Sequence, residues 1–554
     1  MFVRSKTVRG HNYLQIVENY WQEGRTHQRV ITTLGRLDHL QQSGQLEALL
    51  RSAVRFSTKA ALLEAYDAGQ FPEAPTLRIG PDRVFGRLWR EMGIPQVIRH
   101  LLGDRKFEFE VERAIFLTVL HRLFSPGSDR AAEVWRENYD IVGAEGLELH
   151  HLYRAMAWLG EPVLQQSPRS SLAPRCTKDR IEEELFSQHQ DLFSTLDLVF
   201  MDTTSIYFEG EGGESLGQYG HSKDYRPDRK QIVVGMVLDD VGRPVCSEVW
   251  PGNTADVKAL IPIVDRLRSR FRIGAMGVVA DRGMVSEKVL GELEERRWDY
   301  IVGARMRGQK EVRMEVLGRG GRYETVYPKG ARAKDPAPLK VKEVVVENRR
   351  YIVCHNEDQA KRDAADREAI LASLRDKLKQ GDVALVGNKG YRKYLSQQGS
   401  GFIIDERKVA EDARFDGKWV LRTNTNLSAR EVALKYKQLW MVEEVFRTMK
   451  SVLRTWPIYH KRDETIRGHV FCSFLALMLR VELQQRLEAK GLDLEWEHVI
   501  RDVDALQEIE LRTNGKTFVL RNVVQGCCGK VFGAVGVALP ATIRQISPGE
   551  QSFT

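Results

Sequence analysis

LDLVFMDTTSIYF, residues 196–208, is the stretch from which the fold of this 554-residue chain is read. Leu198, Val199, Phe200 and Met201 run straight into Asp202, and β-branched and aromatic residues follow, as in a strand buried on both faces. QIVVGMVLD (231–239) and RPVCSEVWPG (243–252) come next, joined by a short turn at Asp240–Gly242 that predicts an antiparallel pair. ADVKALIPIVDRLRSRF (255–271) has helical periodicity, AMGVVAD (275–281) is a short buried strand, SEKVLGELEERR (286–297) a second helix and DYIVGAR (299–305) a fifth strand. The order β-β-β-α-β-α-β predicts a mixed sheet covered by helices, an α/β fold.

Outward from this core, residues 1–60 read as a small basic β-unit. They contain FVRSKTV, NYLQIVENYW and THQRVITTLG, with nine Lys and Arg against four Asp and Glu. Residues 61–190 read as a helical region, with apolar positions three and four apart in DRVFGRLWREMG (82–93) and VERAIFLTVLHRLF (111–124). QQSPRSSLAPRCTKDR (165–180) has the composition of a linker or exposed loop. The core's first part, 191–305, is interrupted by a β-rich insertion, 306–425, with strand-like LKVKEVVVE and RRYIVCHN and one polar helix. Over 301–350 it carries thirteen Lys and Arg against six Asp and Glu. The core resumes over 426–490, and residues 491–554 form a hairpin, turned at Asn514-Gly515, and a tail.

Composition sets limits on function. Hydrophobic residues are 42% and charged residues 29%, as in globular rather than disordered chains. Lys plus Arg is 84 against 76 for Asp plus Glu, a net charge of +8 that favours a polyanionic partner. The six cysteines show no C-x-x-C spacing, which fits a reduced cytoplasm. The longest apolar run, Val470 to Leu479, is broken by Ser473 and stopped by Arg480, about half of what a bilayer requires. No signal peptide is read at the start of the chain, and no membrane partner is expected.

Three acids carry the candidate chemistry. Asp202 and Asp281 each end an apolar strand, where ligands of α/β sheets collect, although such an Asp is also a common helix cap. Residues 428–453 are the most readable helix, opened by the capping-box spacing of Ser428 and Glu431. Tyr436, Glu443 and Lys450 are seven apart on it and share one face with Trp440 and Arg447, beside an apolar stripe of Leu439, Val442, Phe446 and Met449. A solvated Glu443–Arg447 pair is the plain alternative. Three carboxylates on two strands and a helix suit two hard divalent cations, with which phosphoryl transfer would proceed. Zinc is disfavoured, because the His and Cys residues lack ligand spacing. Asn253 and Asp256 flank a helix start, and Asn253 reads mainly as turn or cap chemistry.

The chain resembles the insertion-sequence DD(E) transposases with a ribonuclease-H-like core, in particular the group with a Tyr-x2-Arg-x3-Glu-x6-Lys signature. YKQLWMVEEVFRTMK (436–450) supplies Tyr436, Glu443 and Lys450, with Leu439 at the arginine position and Lys437 or Arg447 as substitutes. MDTTSIYFEG around Asp202, ADRGM around Asp281, residues 220–256 and RGHVFCSFLALML (467–479) support the likeness. The resemblance implies that Asp202, Asp281 and Glu443, rather than the adjacent Glu444, bind two Mg²⁺ or Mn²⁺ ions. It implies hydrolysis at the transposon ends and attack of the freed 3′-hydroxyl on target DNA. The expected partner is double-stranded DNA, both terminal inverted repeats and target, bound by a homodimer in a bacterial, nucleoid-associated setting. Tyr436 and Lys450 would hold DNA phosphates, and His221 and Lys223 lie in a polar loop near the DNA path. Because Asp281 and Glu443 must meet, the insertion is expected to bulge outward as its own subdomain. Trp419 in it is the candidate for stacking an unpaired base. A ribonuclease-H-like nuclease without strand transfer and a DNA-binding regulator are the competing readings.

Overall fold

A computed structural model of the chain describes residues 1–22, 24–54, 56, 76–163, 173–188, 198–271, 277–327, 337–380, 389–398, 401–513 and 516–546. They pack as two compact units. One comprises Met1–Pro81, Asn138–Asp140 and Leu494–Thr554, the other Asp82–Glu137 and Ile141–Asp493. In the first, β1 (Phe2–Val8), β2 (His11–Gln22) and β3 (Arg25–Arg36) form the expected N-terminal antiparallel meander, in which Val17 is the one fully buried residue. A further strand, β4 (Thr76–Arg78), follows.

The second unit is built on a nine-stranded sheet. Its first five strands are β5 (Leu198–Tyr207), β6 (Gln231–Leu238), β7 (Pro244–Pro251), β8 (Gly277–Ala280) and β9 (Asp299–Gly303). They lie in the order β7-β6-β5-β8-β9, with β5–β6 and β6–β7 antiparallel and β5–β8 and β8–β9 parallel. This is the mixed, ribonuclease-H-like arrangement expected. Every position of β6 is buried, as its uninterrupted apolar sequence requires of a strand covered on both faces. One face packs Val199, Met201, Val278 and Ala280 against Ile263, Val264 and Leu267 of the helix Leu260–Arg270 and Leu290 and Leu293 of the helix Glu287–Glu295.

The insertion differs from expectation. Its strands β10 (Glu324–Tyr327), β11 (Leu339–Val346) and β12 (Arg349–His355) do not stand off from the core. The short hairpin β13 (Leu395–Gln398) and β14 (Gly401–Ile404) precedes β15 (Lys418–Thr423), which pairs with both β12 and β9. The sheet therefore continues as β9-β15-β12-β11-β10. The reason is physical: β9 would otherwise present an unpaired edge, and antiparallel strands from the insertion satisfy it. The polar helix Glu357–Gln380 with β13–β14 has its own small cluster of Leu371, Leu374, Tyr394 and Leu395.

Two other boundaries shift. Of the region expected as a separate helical domain, Asp82–Glu137 and the residues from Ile141 on fall in the same unit as the core. Within the expected linker 165–180, residues 165–172 lie outside the described residues, but Thr177 opens a helix to Gln188. Its Lys178, Asp179 and Glu182 are buried with Arg266: Lys178 Nζ donates to Asp179 Oδ1 at 2.6 Å, and Arg266 lies 3.1 Å from Asp179. Opposite charges that neutralise one another allow so polar a segment inside. The first unit is completed by β16 (Gln507–Thr513), β17 (Lys516–Arg521) and β18 (Ile543–Ile546), in a sheet ordered β18-β17-β16-β4. The predicted hairpin is β16–β17, and its turn, Asn514-Gly515, lies outside the described residues.

The helix Asp463–Ala489 crosses the helix Leu149–Gly160 at a backbone-to-backbone contact. A Cβ on Gly468 would fall 2.0 Å from the Met156 carbonyl oxygen, and one on Gly160 1.9 Å from that of Glu464. Gly468→Ala should therefore lower the melting temperature, costing at least the upper part of the about 1–3 kcal/mol typical of overpacking. Gly291→Ala, in a helix where a Cβ meets nothing within 4 Å, should be neutral or stabilising by up to about 1 kcal/mol. Equal melting temperatures for the two variants would contradict the close crossing.

His121 lies buried in the helix Val111–Phe124 against the edge of Trp135. Burial, and then the neighbouring Arg122, push its imidazolium down to about 4, opposed by Asp129. The folded value lies below the ordinary 6.5, so this contribution to stability is present above pH 6.5 and lost as pH falls toward 4. Calorimetry should show the melting temperature dropping between pH 7 and 5, with a shallower drop in His121→Phe.

Candidate active site

Asp202 is not at the end of β5, which continues to Tyr207, but at the point where β8 leaves it. The parallel pairing of β5 with β8 runs from Leu198↔Gly277 to Met201↔Ala280, so Asp202 and Asp281 are the next residues on neighbouring strands. Side chains alternate along a strand. Met201 and Ala280 face the helix-covered cluster, so Asp202 and Asp281 face the other side. That is the side on which the helices Ala429–Lys437 and Trp440–Arg447 pack against β5, β6, β8 and β9.

The expected single helix of 428–453 is in fact three segments. The capping box of Ser428 and Glu431 forms as read, with both reciprocal hydrogen bonds. The α-helix stops at Lys437, restarts at Trp440 and ends in a π-helical turn at Thr448–Val452.

Asp281 caps the short turn Arg282–Met284, its Oδ2 accepting from Gly283 N–H at 3.3 Å. Its Oδ1 accepts from the Tyr436 hydroxyl at 3.2 Å. Burial, then the Asp281 charge, push the Tyr436 phenol up. Tyr436 is thus placed to orient an acid, its hydroxyl proton directed at Asp281. Asp202 Oδ1 accepts from Thr203 N–H at 2.7 Å. Burial raises its carboxyl to about 6; Lys223 and the Thr203 N–H oppose the shift, and Asp281 and Asp256 add to it.

Lys223, expected on the DNA path, turns inward. Its Nζ lies 3.7 Å from Asp202 Oδ1 and 3.3 Å from Asp256 Oδ2. Asp256 also accepts from the Thr203 hydroxyl at 2.7 Å, and its Oδ2 and the Asp281 Oδ2 both lie within 4 Å of the point where a Cβ on Gly283 would stand. A third carboxylate therefore joins Asp202 and Asp281. Its place here was not legible in the sequence, since nothing in the spacing of Asp256 ties it to Thr203, 53 residues upstream. Lys450, the other expected phosphate contact, forms a half-buried ion pair with Asp224, a partner the reading missed. A fixed carboxylate at hydrogen-bond distance occupies the ammonium and ties the loop of 220–230 to the π-helical turn.

Glu443 is exposed on the Trp440–Arg447 helix, and among the described residues no hydrogen bond or ion pair reaches its carboxylate. Arg447 pairs instead with Glu444, at 2.7 Å. The plain alternative of a Glu443–Arg447 bridge is thus replaced by one that leaves Glu443 free. Among the described residues, Asp202, Asp281 and Glu443 do not bring ligand atoms all within 4.8 Å of one another. His221 is exposed, with its carbonyl held by Gln231. Trp419 is half-buried on β15 opposite Cys354, three strand spacings, about 14 Å across the sheet, from β5.

Residues 194–479, which hold all of these groups, match the model of the transposase DDE domain, and residues 3–65 match that of the IS1634 family transposase N-terminal domain. The first match covers more than half of the chain, which therefore belongs to the DDE transposases. It is a DNA transposase of insertion-sequence type, and its family works with divalent metal ions. Among solved structures, the chain is similar to a piggyBac transposase synaptic complex with hairpin DNA, at 10% identity and a TM-score of 0.37, covering 77% of this chain and 78% of that one. It is also similar to a Mos1 transposase paired-end complex with the left transposon end, at 15% identity and a TM-score of 0.15, covering 36% and 60%. No curated protein matches the chain. No helix among the described residues is long and apolar enough to cross a membrane.

Tyr436→Phe removes the hydroxyl that holds Asp281 and leaves the ring. Loss of a group that orients a metal-binding acid typically costs about 10–100-fold. Strand cleavage of a transposon-end duplex should fall by that factor while gel-shift affinity for the same duplex stays unchanged. A parallel loss of affinity would return Tyr436 to the phosphate role.

Proposed function

We propose that this transposase hydrolyses DNA at the ends of its own element and joins the freed 3′-hydroxyl to target DNA, with Asp202, Asp281 and Glu443 holding two Mg²⁺ or Mn²⁺ ions. The observation that carries the reading is the parallel pairing of β5 and β8, which ends with Asp202 and Asp281 as the next residue on each side. The donor set fits such ions in kind: the acids offer hard carboxylate oxygens, and a cationic ammonium already lies beside Asp202 and Asp256. When bound, a pair of divalent ions stabilises both the attacking and the leaving oxygen of an in-line displacement.

The chain's own residues do the positioning. Tyr436 fixes the rotation of Asp281, and Thr203 fixes Asp256. The Lys450–Asp224 pair anchors the loop that carries Lys223 to the helical segments that carry Glu443. Glu443 is the third acid because Glu444 is already engaged by Arg447. Terminal inverted repeats and target DNA are the partners, and two element ends require two copies, a homodimer on DNA. The basic stretches 1–60 and 301–350 supply phosphate contacts, so end affinity should decline steeply with salt. Trp419 is retained only as a candidate contact to DNA held along the insertion.

Asp202→Asn, Asp281→Asn and Glu443→Gln should each abolish cleavage of a labelled end duplex and leave its binding near normal, because metal chemistry and phosphate affinity use different groups. Glu444→Gln should cleave like the parent. Full cleavage by Glu443→Gln would remove that residue from the site. Cleavage without joining to a target plasmid would leave a nuclease.

A further inference from the structure

The ammonium of Lys223 sits inside the group of acids, and its place there is built by several contacts. Its Nζ donates to the Thr203 carbonyl oxygen at 2.6 Å and to Thr203 Oγ1 at 2.9 Å. Two carboxylates face it, Asp256 at 3.3 Å and Asp202 at 3.7 Å. Its backbone N–H donates to Ser205 Oγ at 2.8 Å, on the same strand as Asp202, and the next residue, Asp224, is tied to Lys450. Thr203 connects the two sides, donating its hydroxyl proton to Asp256 while accepting from Lys223. A lysine reaching for a distant phosphate needs none of these contacts.

Magnesium lies at about 2.0–2.1 Å from its oxygen ligands. A divalent ion at that distance from Asp202 Oδ1 would share one carboxylate oxygen with an ammonium 3.7 Å away. Two cations so close, in a cleft of low dielectric, repel strongly. The Lys223 side chain is 33% exposed, so a route outward exists. We propose that Lys223 is the internal counter-ion of this site, neutralising Asp202 and Asp256, and that a divalent cation binds by displacing its ammonium. The inference rests on the reading of Asp202 as a metal ligand. Under it the acids stay neutralised by the lysine while a polyanionic DNA end docks, and the ammonium is released at the site when the metal takes over.

Mn²⁺ binding to the full-length chain, followed by electron paramagnetic resonance of the free ion, tests this without reference to catalysis. Lys223→Met should bind Mn²⁺ about 10-fold more tightly than the parent, as removal of a nearby positive charge requires. Lys223→Arg, which keeps the charge, should not tighten binding. Unchanged or weaker binding by a folded Lys223→Met protein would overturn the proposal. Amine acetylation of the unmutated chain, read by mass spectrometry, gives a second measurement that needs no variant. Lys223 should label several-fold faster with Mn²⁺ than with a chelator, and equal rates would overturn displacement. Asp202→Asn separates the two readings. It should lose Mn²⁺ binding; if it binds like the parent, the metal assignment of Asp202 fails, whatever Lys223 does.

Discussion

Four residues of parallel pairing between β5 and β8 are the constraint on which the rest of this site depends. Parallel strands must be joined by a crossover, and here the connection through β6, β7 and the helix Leu260–Arg270 brings β8 back beside β5. A register shift of one residue would turn Asp281 toward the helix-covered face, because side chains alternate strictly along a strand. The register seats Val278 and Ala280 in one cluster with Ile263, Leu267 and Leu290, while Val279 is buried on the opposite face. The chemistry is thus aligned by hydrophobic burial, at positions that never touch DNA.

The sheet also explains how helical segments far along the chain take part. Acids at the parting of β5 and β8 face the side where the 429–452 segments pack. Tyr436 reaches Asp281 from the first segment, and Lys450 reaches Asp224 from the π-helical turn. The three segments are therefore pinned to the core at both ends, with Glu443 between the pins.

Much of this was legible in the sequence. The β-β-β-α-β-α-β order appears in apolar runs too regular to mistake, and Ser428 and Glu431 announce a helix start by spacing alone. What was not legible depended on partners distant in sequence. Lys450 reads as a free surface cation until Asp224, more than two hundred residues away, is seen beside it. Asp256 reads only as a neighbour of a helix start until Thr203 and Lys223 converge on it. The Ser- and Pro-rich composition before Thr177 concealed a helix whose charges are buried, because local polarity does not reveal that Arg266 will neutralise them. Two of the insertion's strands, β11 and β12, were legible but not their place, since the open edge of β9 is visible only after the core has been assembled.

That placement has a consequence for how such a chain can change over generations. The chain leaves the core at Gly303 and returns at Leu421, and those two residues are direct partners across β9 and β15. Entrance and exit of the whole excursion are therefore held one strand spacing apart, about 4.8 Å. The entropy of closing a loop rises only slowly with its length. Segments between those gateposts can lengthen, shorten or be exchanged at small thermodynamic cost, provided β15 still seals the sheet. The helix Ala429–Lys437, whose Tyr436 holds Asp281, rests on β11 and β12 as well as on β8 and β9, so those strands must stay, while the outlying β13–β14 hairpin and the helix beside it are free to change.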